Sequence, residues 1–220
     1  MMKTKAVVFD AYGTLFDVNS AAKRCKDKIG AKWETFANFW RTTQLEYTWL
    51  RSLMKRHKNF WDITEDSLDK SMKVFNINKN IKNELLSLYK ILSPYPEVKE
   101  VLEDLKKKNF KLAILSNGTL DLLNELVESN KLNNLFDDLF SIEEVKIYKP
   151  DPRVYEIPIK KYKIKSGEIT FLSANTWDVS GGGNFGYNSI WVNRHNSVFD
   201  ILDFQPKNEI NNLTQLLDKV

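Results

Sequence analysis

Ala6–Phe9 are four consecutive apolar residues that run into an acid, Asp10, with Gly13 and Thr14 following as a turn. An unbroken apolar run bounded by a turn predicts a strand buried on both faces of a parallel sheet. The period then changes. In WETFANFWRTTQLEYTWLRSLMKRH, residues Phe36, Phe39, Trp40, Thr43, Tyr47 and Leu50 recur at steps of three and four. That spacing predicts the apolar face of one long helix. TEDSLDKSMKVF opens on Thr64 with acids close behind, which reads as a helix N-cap. NKNIKNELLSLYKIL predicts a third helix, and the two prolines of SPYPEV (93–98) mark a return linker.

Beyond the linker, strand and helix patterns alternate. EVKEVLEDLKKKN predicts a helix, FKLAILSN a strand, TLDLLNELVESN a helix, and FDDLFSIEEV a short strand. PRVYEIPIKKYK reads as helical with Pro158 inside it, EITFLSAN as a strand, and the glycine-rich stretch with GGG at 181–183 as a tight turn. NSIWVNR reads as a further strand and NLTQLLDKV as a closing helix. Alternation of this kind predicts an α/β fold whose Rossmann-like parallel sheet is covered on both faces. Residues 1–15 and 98–220 are expected to form that core, and 16–97 an all-helical insertion, or cap. Ligands of open α/β sheets bind beyond the carboxyl ends of the strands. Asp10, the pair Ser116-Asn117 and the triplet Ser173-Ala174-Asn175 stand at three such ends and should converge, with the insertion as a roof.

Composition narrows the function. The 220 residues carry 33 basic and 29 acidic side chains, a formal charge of +4 spread along the chain. The densest run, KKK at 106–108, reads as the solvated end of a helix, where lysines favour the dipole. No nucleic-acid partner is expected. Cys25 is the only cysteine and His57 and His195 the only histidines. This excludes a disulfide framework, a cysteine zinc site and a histidine-rich metal site within one chain. These three residues read as structural. No apolar run reaches membrane-span length, and the N-terminal run stops at Asp10, so the cytoplasm is expected. The GGG lacks the Lys and Ser/Thr that a phosphate-binding loop needs.

Taken in order, FDAYGTLFD, LSNGT, YKPDPRVY and LSANTWD resemble the four motifs of the haloacid dehalogenase superfamily, closest to its 2-haloacid dehalogenase branch. The resemblance covers nearly the whole chain. It implies that Asp10 is a nucleophile that attacks a halogen-bearing carbon and forms an ester. Otherwise Asp10 is a turn or cap acid. Lys149 resembles the motif lysine that keeps the nucleophile ionised. Tyr12 stands where phosphatases of the superfamily carry a second aspartate, which protonates the leaving oxygen. Halide is a weak base and needs no such acid. Ala174 likewise replaces an acid that phosphatases use for magnesium, so no metal and no cofactor are expected.

The remaining assignments also come from the resemblance. Asp178 matches the residue thought to activate water for ester hydrolysis; by position alone it could be a helix N-cap. Ser173, Asn175 and Thr14 match residues that support Asp10, Lys149 and the water. Ser116 and Asn117 match groups that take the substrate carboxylate and the departing halide, or they open the next helix as a cap. Arg41 matches a cap arginine that receives halide; its spacing alone suits a solvated helix residue. Tyr12, Leu45, Phe60 and Trp177 match the apolar lining of the pocket, and Tyr155 a tyrosine hydrogen-bonded in the site. The expected activity is hydrolysis of short (S)-2-haloacids to 2-hydroxy acids, by a cytoplasmic enzyme whose aromatic-rich cap and family imply a homodimer. The rivals are a magnesium-dependent small-molecule phosphatase and a non-catalytic binding protein on the same fold.

Overall fold

The computed structural model describes residues 3–220. Among them, six parallel strands form one sheet: β1 Ala6–Phe9, β2 Lys111–Ser116, β3 Asp138–Ser141, β4 Ile169–Ser173, β5 Asn188–Val192 and β6 Asn208–Ile210. Their order is β3-β2-β1-β4-β5-β6, so the direction of winding reverses between β1 and β4. Every residue of β1 and β4 is buried, because helices cover both faces. The strand pattern is therefore as expected, with β6 added.

The helices are α1 Ser20–Arg24, α2 Lys26–Ile29, α3 Trp33–Leu53, α4 Phe60–Phe75, α5 Lys82–Lys90, α6 Val98–Lys107, α7 Leu120–Ser129, α8 Pro152–Tyr162 and α9 Thr176–Phe185. The first five lie between β1 and α6 and pack mainly on one another, α3 lying along α4. The chain enters and leaves this helical layer side by side. Phe16 pairs with Pro94, the Asp17 N–H donates to the Ser93 carbonyl at 2.9 Å, and the Tyr95 N–H donates to that of Leu15 at 3.0 Å.

Several local expectations need correction. Helix α4 opens at Phe60, not Thr64; its cap is Asn59, whose side chain accepts the Asp62 N–H at 2.9 Å. Thr64 lies inside the helix. On α3, Leu50 is exposed, while the buried face includes Thr43, Gln44 and Thr48. Helix α7 is capped by Thr119, so Ser116 and Asn117 are not its cap. The C-terminal segment Leu213–Asp218 is a 3-10 helix. Residues 181–183 form no turn: α9 runs straight through them. A side chain at Gly181 would meet the Tyr155 hydroxyl at 2.5 Å and Pro150 at 2.6 Å, and one at Gly183 would collide with the Phe204 ring. These glycines serve close packing. Asp178 therefore sits in the first turn of α9, and the N-cap position belongs to Asn175.

Candidate active site

Asp10 follows β1 directly, and its N–H donates to the Leu172 carbonyl of β4 at 2.8 Å. This places its carboxylate at the switch between β1 and β4, where ligands of such sheets bind. Lys149 comes from the loop before α8 and is fully buried (0%), with Asp10 at 5% and Asp178 at 0%. Its ammonium donates to Asp10 Oδ1 at 3.2 Å and to Asp178 Oδ2 at 2.9 Å. The other oxygen of Asp10 accepts from Thr14 at 3.0 Å and Asn175 at 2.9 Å, with the Ser173 hydroxyl farther out at 3.5 Å. Asp178 Oδ1 accepts the Tyr155 hydroxyl at 2.7 Å, and the Tyr187 hydroxyl donates to the Tyr155 carbonyl.

Burial alone would drive the Lys149 ammonium toward neutrality, but the charges of Asp10 and Asp178 outweigh it and hold its pKa above the usual lysine value. Asp178 moves the other way. Burial lifts its carboxyl above the ordinary 3.8, with Asp10 adding to the effect while Lys149 and Tyr155 oppose it. A carboxylate made more basic in this way is better suited to take a proton near neutral pH. Burial likewise keeps the phenols of Tyr12 and Tyr155 neutral, far above 10.0.

The expected residues fall into groups. Asp10, Thr14, Lys149, Tyr155, Ser173, Asn175 and Asp178 form one connected cluster. Arg41 reaches it from α3: its guanidinium donates to the Tyr12 carbonyl at 3.3 Å, which also accepts from Asn175 at 3.3 Å. One carbonyl oxygen thus joins the helical layer to the Asp10 cluster. Tyr12, Arg41, Leu45 and Asn175 line a cleft of about 480 Å³, a size suited to a small ligand. Phe60 stands behind, its ring 5.2 Å from that of Tyr12. Ser116 is buried, its hydroxyl oxygen accepting the Gly118 N–H at 3.0 Å. The side-chain oxygen of Asn117 accepts the Lys149 N–H at 3.2 Å, which leaves its NH₂ group to donate. Trp177 stands apart from this cleft. It packs edge-on against Trp49, centroids 5.4 Å apart, and lines a second groove with Tyr148 and Pro150.

Two residues of the site escaped the sequence pattern. Gln44 is buried and accepts from Arg41 at 2.9 Å, and Tyr89 stacks on Tyr12 with centroids 5.7 Å apart. The step from 41 to 44 is one helical turn, so the first contact was open to a helix-spacing argument. The second pairs residues far apart in the chain.

Chemically, the cluster holds an anionic oxygen nucleophile, a fixed cation beside it, a second carboxylate of raised basicity, and a guanidinium facing the same cleft. The place between the two carboxylates is taken by the Lys149 ammonium. Among the described residues, no three His, Cys, Asp or Glu side chains gather as metal ligands. The Tyr12 ring itself packs among aromatic neighbours, Phe60 and Tyr89. The phenol of Tyr12 is neutral and a poor substitute for a carboxylic acid as proton donor.

The family model for haloacid dehalogenase-like hydrolases matches residues 4–186. The chain is 40% identical over 215 residues to (S)-2-haloacid dehalogenase 4A of Burkholderia cepacia, covering 96% of this chain and 93% of that protein. A solved dehalogenase structure superposes with a TM-score of 0.97 at 37% identity, covering 100% of this chain and 98% of that one. L-2-haloacid dehalogenase from Xanthobacter autotrophicus with chloropropionic acid covalently bound gives a TM-score of 0.90 at 31% identity, covering 97% and 96%.

Proposed function

The chain belongs to the haloacid dehalogenase-like hydrolases, and we propose that it hydrolyses short (S)-2-haloacids to 2-hydroxy acids through an ester on Asp10. The observation that carries this reading is the Asp10–Lys149–Asp178 chain, joined through Asn175 to a cleft lined by Arg41 and the aromatic Tyr12, where an oxygen leaving group would need an acid. The relatives support it: one is named for this activity, and another was solved with chloropropionic acid covalently bound.

In the first step a carboxylate oxygen of Asp10 attacks C2 from the side opposite the halogen. The new C–O bond forms as the carbon–halogen bond breaks, and halide departs with the bonding pair. Arg41 and the NH₂ of Asn117 receive the developing anion, a task for groups that carry charge or donors into a largely desolvated site. The Ser116 hydroxyl and the N–H groups around Gly118 hold the substrate carboxylate. Tyr12, Leu45 and Phe60 supply the apolar lining, which keeps water from competing for carbon. In the second step Asp178, held by Lys149 and Tyr155, takes a proton from water. That water attacks the Asp10 carbonyl carbon, and the acyl C–O bond breaks with return of the proton to the product oxygen. Thr14, Ser173 and Asn175 hold the Asp10 carboxylate in place throughout. The bond between oxygen and C2 survives the second step, so configuration at C2 is inverted once.

Residues 1–15 and 98–220, of which 1–2 lie outside the described residues, act as the catalytic core and 16–97 as a cap. No helix of the described residues is long and apolar enough to cross a membrane. We place the enzyme in the cytoplasm as a homodimer, consistent with the exposed Leu53 and Met54 at the end of α3. Light scattering at twice the 25.7 kDa chain mass checks the dimer.

The decisive experiment is a single turnover of (S)-2-chloropropionate in ¹⁸O-water with enzyme in excess. Label in Asp10, and none in the hydroxy acid, is the expected result; label in the product would sink the ester mechanism. Halide release unchanged by EDTA is expected alongside it. Chelator sensitivity with phosphate release from a generic ester would favour a phosphatase.

A further inference from the structure

Arg41 is held in an unusual way for a cation that must be aimed. Its guanidinium donates to Gln44 Oε1 at 2.9 Å and to the Tyr12 carbonyl at 3.3 Å, and both acceptors are neutral. Gln44 is itself almost wholly buried, 1% exposed. An arginine can only donate, so the Gln44 atom facing it is the oxygen and the NH₂ must point the other way. There it donates to Thr64 at 2.6 Å and to the Tyr89 hydroxyl at 3.0 Å. Thr64 can accept because its own hydrogen goes to the Phe60 carbonyl at 2.7 Å. One side chain of α3 is thereby tied to α4 and α5. Through Tyr89, which stacks on Tyr12, it is also tied to the wall of the cleft.

A buried carboxamide is costly unless all its groups are paired, and an apolar residue would fill the volume more simply. A glutamate would orient Arg41 as well, but its charge would cancel the guanidinium at short range. Glutamine fixes direction and spares the charge. We propose that Gln44 is a positioning residue whose neutral carboxamide, anchored by Thr64 and Tyr89, aims the Arg41 guanidinium at the departing halide without neutralising it. The inference rests on Arg41 being the halide-receiving group.

The test compares wild type with Gln44→Met, Gln44→Glu, Tyr89→Phe, Arg41→Met and the double variant Gln44→Met/Arg41→Met. It measures kcat, KM and inhibition by product chloride. Gln44→Met should lower kcat about 10- to 100-fold, the scale of a misplaced reacting group. KM should stay close to that of wild type, and chloride inhibition should weaken by a similar factor to kcat. Gln44→Glu should lose at least as much kcat although it keeps the acceptor, and Tyr89→Phe should lose less. Adding Gln44→Met to Arg41→Met should cost nothing further, since the two act as a unit. Equal losses in both backgrounds would overturn the inference, because Gln44 would then act independently of Arg41. If Gln44→Met does not fold, Gln44→Glu decides: wild-type kcat and chloride inhibition in that variant overturn it. A wild type that releases no halide would remove the underlying reading as well, whereas an active wild type beside unaffected Gln44 variants defeats this inference alone.

Discussion

The sheet core and the cap bury different kinds of polar group. At the carboxyl edge of the sheet three buried groups are charged, Asp10, Lys149 and Asp178, beside the neutral Thr14, Ser116, Asn117 and Ser173. They lie in one chain of ion pairs at 3.2 and 2.9 Å. In the cap the buried polar groups are neutral, among them Thr43, Gln44, Thr48, Thr64, Ser67 and Ser71. Arg41, on α3, is half-buried and rests on neutral acceptors. The core pairs its charges internally, so an ionised nucleophile can wait in a dry site without a substrate. Among the described residues the Arg41 guanidinium is bonded to neutral groups, so an arriving or departing anion can balance its charge. Under the proposed mechanism the difference matches two tasks: keeping a carboxylate reactive, and receiving what leaves.

Lys149→Met should break this contrast most severely. It leaves two buried carboxylates with no cation between them, and both cannot remain ionised. A loss of about 3–5 kcal/mol of stability in chemical denaturation is expected, together with a loss of halide release of about 10³-fold or more. Arg41→Met should cost about 10²-fold in kcat yet leave stability within about 0.5 kcal/mol. Equal destabilisation by the two substitutions would collapse the distinction between core and cap.

Asp178 sharpens the core side of the comparison. Its carboxyl is raised by burial, so its proton-accepting form is lost as pH falls through a value above 3.8. The hydrolytic step, followed as decay of the ester in single turnovers, should slow through that window. Tyr155→Phe removes a donor that favours the carboxylate, so the same limb should move to higher pH. The smallest effect on the Asp178 limb is expected from Gly181→Ala, whose methyl would press on the Tyr155 hydroxyl and Pro150. About 1–3 kcal/mol of stability should be lost, with a milder shift of the Asp178 limb in the direction seen for Tyr155→Phe.

The parallel sheet, the helical insertion and the convergence of strand ends were legible from the chain alone. So were Asp10, Lys149 and Asp178, through their place in the motifs, and the absence of acids at Tyr12 and Ala174. Apolar runs, helical spacing and motif order are short-range properties, and each segment carries them without reference to the rest. Three features were not legible. GGG at 181–183 reads as a turn because glycine favours turns, but it lies inside a helix, where the missing side chains let Tyr155, Pro150 and Phe204 approach. Thr64 reads as the start of α4 because acids follow it, but Asn59 is the residue whose side chain takes the first-turn N–H. Gln44 resembles any polar helix residue until Tyr89 and Thr64 are seen beside it.

By itself, then, the sequence determined which elements form and which side chains have the chemistry to attack carbon, hold a charge and take a proton. Only the tertiary structure decided which polar groups leave water and what partners they meet there. The reason is that the cost of burying a polar atom is set by its neighbours, and those neighbours lie far along the chain: 139 residues from Asp10 to Lys149 and 45 from Gln44 to Tyr89.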